Sequence, residues 1–235
     1  ASQAGKDFVA PLVFNNWFTW QTGIVIVNLE NQATNITYEY DYKDVNGASG
    51  SNSYTASLPA NAAVTFWAFG QYSNNPKVFG SAKITSDTTD VLTLVSSNKS
   101  PAEGIGQQVP GLNTGTSTTK FAVPLMFNDG SWDTAVLVVN LDGGNVTVKC
   151  VPLDEDPTTS TNTSVVNIPA GQSATVWATN HTNELGQPEA GCLPRGKVGV
   201  AYFDGGTSRI VGQANYNNPE VAGGTMAGGF AGINY

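Results

Sequence analysis

The amino-acid sequence contains one long stretch twice. Residues 8–29 read FVAPLVFNNWFTWQTGIVIVNL, and residues 121–141 read FAVPLMFNDGSWDTAVLVVNL. A single deletion after Asn16 brings the rest of the two copies into register. A later phrase recurs as well, since LPANAAVTFWA at 58–68 is matched by IPAGQSATVWA at 168–178. The register shifts only where loops are expected, so the sequence predicts two copies of one domain.

Each copy has the pattern of an all-β domain. Residues 35–44, NITYEYDYKD, place Ile36, Tyr38, Tyr40 and Tyr42 on one face and polar side chains on the other, as in a half-exposed antiparallel strand. Strands of this kind are expected at 8–14, 23–29, 35–44, 54–58, 63–68, 78–85 and 91–97. Short strands at this spacing predict two tandem antiparallel β-sandwich domains, Ig-like or jelly-roll-like, related by internal duplication.

The predicted domain boundaries follow the composition. The first sandwich is expected at 1–100 and the second at 120–219. Between them, residues 101–119 are rich in Gly, Pro, Ser and Thr and are expected to form a linker. Proline cannot donate a hydrogen bond to a neighbouring strand, so Pro11 and Pro124 predict an edge strand in each domain.

The last part of the sequence, residues 220–235, is an apolar tail rich in Gly and Ala. A solvated terminus is normally more polar. The residues expected to seek a partner are Val221, Met226, Phe230, Ile233 and Tyr235. Two readings remain open: the tail is a donor strand that completes the sheet of another subunit, or it supplies the last strand of its own domain.

Composition restricts the classes of partner. Only 12% of the 235 residues are charged, against about 25% in an average protein, and the net charge is −8. The sequence has no basic cluster, which argues against nucleic acid and against an anionic membrane surface as partner. It has no long apolar run either, so membrane insertion is not expected. The start, ASQAGKDF without Met, matches signal-peptidase cleavage, although a cloning boundary would read the same.

Both cysteines, Cys150 and Cys192, lie in the second copy. In an exported chain the expected state is one disulfide, and two buried thiols are the alternative. Cys192 lies in a longer loop that the first copy lacks, and Cys150 stands where the first copy has Tyr40. The disulfide would therefore tie this loop to a strand.

Catalytic patterns are weak in this sequence. His181 stands alone in a variable loop without a nucleophile motif. Asp154, Glu155 and Asp156 could bind Ca²⁺, but such a run more often forms a solvated turn. We expect no enzyme, no cofactor and no metal site. Five glycosylation sequons occur, of which Pro101 handicaps the one at Asn98; the other acceptors are Asn35, Asn145, Asn162 and Asn180.

The aromatic residues divide into structural and candidate contact positions. Trp67 and Trp177 occupy equivalent places and are expected in the two cores. Trp20 recurs as Trp132 and is also expected to be structural. Trp17 and Phe18 occur in the first copy only, so they are the candidate surface contacts, with Tyr72 as a further stacking residue.

The repeated phrases resemble repeat domains of secreted and cell-surface proteins from thermophilic bacteria such as the Chloroflexi. They read Pro11-Leu12, Asn15-Asn16, Trp20, Thr22-Gly23, Val27-Asn28, Pro59-Ala60 and Gly80-Ser81-Ala82. The second copy departs from them at Gly130 and at Gly199-Val200-Ala201. The resemblance implies a surface location and a sandwich fold, and it brings no catalytic residues.

These features predict a structural subunit of an extracellular assembly, namely a filament, a tube or a surface layer. The expected partner is the protein itself, through strand donation by the tail. The alternative is a secreted carbohydrate-binding or adhesion module that binds polysaccharide through Trp17 and Phe18.

Overall fold

The computed structural model describes residues 4–17, 19–68, 77–98, 106–182, 188–218, 225–231 and 233–234. Two compact units divide the chain between Thr116 and Ser117. The fold is all-β: the described residues contain no α-helix, and their strand pairings are antiparallel.

The first unit forms two sheets. Its strands are β1 (Asp7–Asn15), β2 (Gln21–Asn28), β3 (Thr34–Asp44), β4 (Ser49–Leu58), β5 (Ala63–Trp67), β6 (Val78–Ser86), β7 (Val91–Asn98), β8 (Gly106–Pro110) and β9 (Leu112–Asn113). One sheet has the order β4-β3-β6-β1-β9, and the other has the order β5-β2-β7-β8.

The second unit repeats this order. Its strands are β10 (Lys120–Asn128), β11 (Asp133–Asn140), β12 (Gly144–Pro152), β13 (Thr163–Ile168), β14 (Ser173–Trp177), β15 (His181–Thr182), β16 (Pro188–Glu189), β17 (Lys197–Asp204), β18 (Ile210–Asn218), β19 (Thr225–Ala231) and β20 (Ile233–Asn234). The runs β13-β12-β17-β10-β20 and β14-β11-β18-β19 match the two sheets of the first unit strand for strand. They meet through the pair Asn128 and Asp133, and β15 and β16 form a separate hairpin.

The two sheets of each unit share one core. In the first unit, Phe8 and Tyr40 come from one sheet and Ile24 and Val95 from the other, and all four are buried in a single cluster. The predicted apolar face of residues 35–44 is confirmed, because Ile36, Tyr38 and Tyr40 are buried while Glu39 and Asp41 are exposed. The second unit has a separate cluster of the same kind around Phe121 and Phe203. Alternation along each strand thus decides which side chains enter the core.

Pro11 does not mark an outermost strand. It lies in β1, where the register with β6 shifts between Ala10 and Val13, and β1 also pairs with β9. β10 shows the same shift between Val123 and Met126, around Pro124. A bulge accommodates the missing proline N–H. The edge prediction is therefore wrong, because a short strand of the same chain lies beside each proline-containing strand.

The predicted linker at 101–119 is also wrong in part. Residues 106–110 form β8 against β7, and Leu112 and Asn113 form β9 against β1. Val109 and Leu112 are buried. Burial of these two side chains explains why this Gly- and Pro-rich stretch forms strands, since apolar side chains that enter a core fix the backbone that carries them.

Candidate functional site

The last described residues of the chain pair within their own unit. β19 lies along β18, and β20 lies along β10 with Ile233 opposite Ala122. Of the two readings open from the sequence, the structure has the intramolecular one. The backbone of Met226, Phe230 and Ile233 belongs to these strands, whereas Val221 and Tyr235 lie outside the described residues.

The strand pair β19 and β20 and the strand pair β8 and β9 play the same part in the two units, and we call each pair a closing segment. Each consists of two short strands, the first of which extends one sheet and the second of which extends the other. In the first unit, Val109 lies opposite Val95 and Leu112 lies opposite Val9. In the second, Phe230 lies opposite Ala214. A closing segment therefore covers the edges of both sheets at once.

The first closing segment leaves little room at its bend. The backbone N–H of Gly111 donates to the carbonyl oxygen of Thr93 at 3.0 Å. A Cβ atom on Gly111 would lie 1.9 Å from the Thr93 hydroxyl oxygen, a distance that no side chain tolerates. Glycine is required here because the backbone passes directly over β7.

A sequence signal for the closing segments is present in both copies. Residues 109–113 read VPGLN, and residues 230–234 read FAGIN. The two phrases share Gly, an aliphatic residue and Asn in the same order. Their registers agree, because Asn113 lies opposite Phe8 and Asn234 lies opposite the equivalent Phe121.

The structure corrects the candidate contact at Trp17. This residue is 4% exposed, and its ring centre lies 4.7 Å from that of Phe79. Its backbone exchanges hydrogen bonds with Trp20, which closes the turn between β1 and β2. Trp17 is buried because of this tertiary contact, so it cannot stack on a sugar from solvent. Phe18 and Tyr72 lie outside the described residues.

The prediction for Trp67 is wrong in the opposite sense. Trp67 is 43% exposed on the outer side of its sheet, and the equivalent Trp177 is half-buried. Phe66 and Val176, one position earlier, supply the core contacts instead. Alternation along the strand assigns these two tryptophans to the face opposite the core.

Comparison with known proteins gives little. No protein family matches the sequence, and no curated protein matches it. Among solved structures, the chain resembles Thermotoga maritima 1070 with a TM-score of 0.39 and 11% sequence identity. The similarity covers 46% of this chain and 94% of that one.

The two cysteines lie at disulfide distance, with their Cα atoms 5.7 Å apart. Cys150 is buried in β12 at the position that Tyr40 takes in β3, since they face Ala201 and Ala82 respectively. The Tyr40 hydroxyl donates to the carbonyl oxygen of Val13 at 2.9 Å. The same buried position thus carries a hydrogen bond in one unit and a covalent bond in the other.

The disulfide holds the end of the inserted loop against the core. The N–H of Cys192 donates to Trp177, and the neighbouring Leu193 is 4% exposed. The Asn128 side-chain amide donates to the carbonyl oxygens of Leu193 and Ala178. After the insertion, the chain therefore rejoins the core at Cys192 and Leu193.

The acidic turn and the histidine show no shared site. Lys197 forms an ion pair with Asp154 and holds the pKa of that carboxyl below its usual value. Asp156 accepts hydrogen bonds from the Thr158 hydroxyl and backbone, which lower its pKa. His181 belongs to β15, and its side chain is not among those described. In the described part of the chain, no group of three or more His, Cys, Asp or Glu side chains could hold a metal ion.

Two of the sequons occupy equivalent positions. Asn35 in β3 lies opposite Ser57, and Asn145 in β12 lies opposite Asn167, each one residue from the same end of its strand pair. Both asparagines are exposed, as is Asn180, whereas Asn162 is half-buried. Among the described residues, no helix is both long and apolar enough to cross a membrane.

Proposed function

We propose that this protein is a structural subunit of an extracellular assembly, namely a filament, a tube or a surface layer. Its building block is a β-sandwich that has been duplicated within the chain. The observation that carries the proposal is the pair of closing segments, since each unit completes two sheet edges with one separable piece of chain. A piece of this kind can complete the same edges in a second copy.

Duplication is supported by side chains that make the same contact twice. The hydroxyl of Thr22 accepts the N–H of Phe14 at 3.0 Å, and the hydroxyl of Thr134 accepts the N–H of Phe127 at 2.9 Å. These hydrogen bonds stabilise the first hairpin of each unit, β1-β2 and β10-β11. Independent sequences rarely arrive at the same polar contact in the same place, so a common origin explains the pairs best.

A second repeated contact lies at the end of the following strand. The side-chain oxygen of Asn28 accepts the N–H of Glu30, and that of Asn140 accepts the N–H groups of Asp142 and Gly143. Asn side chains favour this arrangement in turns. The recurring residues of the sequence therefore have a common structural purpose in both units.

An extracellular location is supported by the cysteine pair. Disulfides persist in oxidising compartments and are rare in the cytosol. The low charge content and the exposed sequons at Asn35 and Asn145 agree with a secreted protein.

Strand exchange is the polymerisation mode that we propose. In this mode, residues 225–234 leave their own unit and make the same backbone pairings with β18 and β10 of the next copy. The hydrogen bonds and buried area of the pairing are conserved in such an exchange, so its free-energy cost is small. A head-to-tail exchange that does not close into a ring produces an open filament.

Paired cysteines test the exchange. Ala122 and Ile233 are direct partners on β10 and β20, so the double variant A122C/I233C can form a cross-strand disulfide. In assembled material, we expect a ladder of covalent oligomers on a non-reducing gel.

The matched control uses the equivalent pair of the first unit, Val9 and Leu112. The variant V9C/L112C should crosslink only within one chain, because its closing segment stays in place in the proposed exchange. Crosslinking of A122C/I233C only within single chains of assembled material would show that the copies are joined by another contact.

The carbohydrate-binding alternative loses Trp17 as a contact because this residue is buried, while Phe18 and Tyr72 lie outside the described residues. No observation in the described part of the chain favours a sugar over a second protein copy. Binding of the full chain to polysaccharide can be measured directly.

A further inference from the structure

The two closing segments differ in size at the position that faces a buried residue of the neighbouring strand. In the first unit, Val109 of β8 lies opposite Val95 of β7. In the second unit, the position opposite Ala214 of β18 is occupied by Phe230 of β19. Val95 and Ala214 are equivalent, because they have the same register against β2 and β11. One unit therefore pairs Val with Val, whereas the other pairs a small residue with a large one.

The first unit is closely packed around its closing segment. Val95 is 2% exposed and Val109 is 5% exposed, and both belong to one core cluster. At the bend that follows, a Cβ atom on Gly111 would overlap the hydroxyl of Thr93 and would lie 3.6 Å from the ring of Phe8. Side chains of β7 and β1 thus fill the space beneath the segment. A phenyl ring at position 109 would overpack this core, which destabilises a fold.

The second unit has smaller residues on the strand that receives its closing segment. Gly212 of β18 stands where β7 has Thr93, and a Cβ atom on this glycine would overlap the ring of Phe121. Ala214, the next residue on the same side of β18, is fully buried. Two successive core positions of β18 are therefore reduced in size relative to β7. Such a strand suits larger neighbours, and its closing segment has Phe where the first has Val.

We propose that these size differences make each unit selective for its own kind of closing segment. The second closing segment of one copy completes the second unit of the next copy, and it is excluded from the first unit. This inference rests on the strand exchange of the proposed function. Phe230 opposite Val95 would be overpacked, and Val109 opposite Ala214 would leave a cavity, so both mismatched pairings are disfavoured. Every junction of the polymer then lies between second units, and the first unit takes no part in joining copies.

A cysteine pair across the disfavoured pairing tests the selectivity in the full chain. Val9 of β1 takes the place of Ala122 of β10, since they lie opposite Leu112 and Ile233 respectively. The variant V9C/I233C would therefore crosslink two copies only if a second closing segment entered a first unit. In material assembled under the same conditions, we expect at least about tenfold less crosslinked product from V9C/I233C than from A122C/I233C, since one overpacked core position has an effect of this order.

Unfolding of the unassembled chain tests the size match itself. The variant V109F should lower the folded-to-unfolded ratio of the first unit about tenfold or more by overpacking. The variant V95A should lower it by leaving a cavity. The double variant V95A/V109F recreates the pairing of the second unit and should recover most of the loss, measured by urea titration as a double-mutant cycle. The mirror variants A214V, F230V and A214V/F230V replace this series should V109F not fold.

The outcomes separate this inference from the proposed function. Crosslinking of V9C/I233C as strong as that of A122C/I233C would overturn the selectivity and leave the proposed function standing. Assembled material in which neither variant crosslinks copies would show that another contact joins them, and it would overturn the inference. A chain that never assembles would overturn the proposed function, and the unfolding series then decides the size match by itself. Additive losses from V95A and V109F would contradict it.

Discussion

At the scale of single residues, the exposed ion pair of Asp142 and Arg209 combines three hydrogen bonds. The guanidinium donates two hydrogen bonds to the carboxylate, at 2.7 and 3.1 Å, and the backbone N–H of Arg209 donates a third at 2.8 Å. These bonds lower the pKa of Asp142 to about 2. The pair connects the turn after β11 to the start of β18 in the second unit.

This contact predicts an acid-sensitive contribution to stability. Because the pKa of Asp142 is lower in the folded chain than the usual value of 3.8, the pair stabilises the fold above about pH 4, and this stabilisation is lost as the pH falls towards 2. Urea unfolding at pH 6, 4 and 2.5 should show a difference between wild type and R209Q that shrinks with acid. The exposed pair of Lys83 and Glu39 in the first unit supplies the control variant, K83Q. A difference that does not change with pH would contradict the assignment.

A second prediction concerns the buried position shared by Tyr40 and Cys150. The variant C150A/C192A should lose about 4 kcal/mol of unfolding free energy on the loop-entropy estimate. The loss should appear in the unfolding transition of the second unit. Denaturant titration measures the free energy of unfolding, and scanning calorimetry resolves the transitions of the two units. The matched variant Y40F removes one buried hydrogen bond and should cost the first unit about 1 to 3 kcal/mol. Equal stability of C150A/C192A and wild type would show that the inserted loop is held by Leu193 and Asn128 alone.

At the scale of elements, the strands could be predicted and the faces that become covered could not. Period-two alternation located β3 and assigned Tyr38 and Tyr40 to the core. Trp67 was wrongly assigned to the interior because Phe66 and Trp67 place a large apolar side chain on each face of β5, and alternation alone does not say which face meets the core. Trp17 is buried by Phe79, which is distant in sequence, and no local pattern reports such a contact.

The linker prediction at 101–119 failed in part for a related reason. Gly and Pro in residues 106–113 indicate a loop when read alone, although Val109 and Leu112 belong to the core. The strands β8 and β9 are short and are stabilised by pairing with β7 and β1 rather than by their own propensity. The repeated phrase of Gly, an aliphatic residue and Asn is a local indication of these strands.

The closing segment of the first unit gives a prediction about fragments. Residues 1–116 should fold alone and unfold cooperatively, because they include both strands of the segment. Residues 1–100 should be much less stable, since they lose Val109 and Leu112 and expose the edges of β7 and β1. Thermal unfolding followed by circular dichroism compares the two fragments. Equal melting temperatures would show that the segment adds nothing to the unit.

At the scale of the whole molecule, the protein consists of two similar units whose sheets have similar edges. Each unit has its own core, and each needs a short piece of chain to complete two sheets. Exchange of the second closing segment would join copies head to tail.

Negative-stain electron microscopy of the purified full chain, with the A122C/I233C variant imaged beside it, tests the central claim most directly. The account predicts regular polymers of wild type, and polymers of the double-cysteine variant that survive dilution only while the disulfides are oxidised. Dispersed monomeric particles at every protein concentration would contradict the claim that this chain is a structural subunit of an assembly.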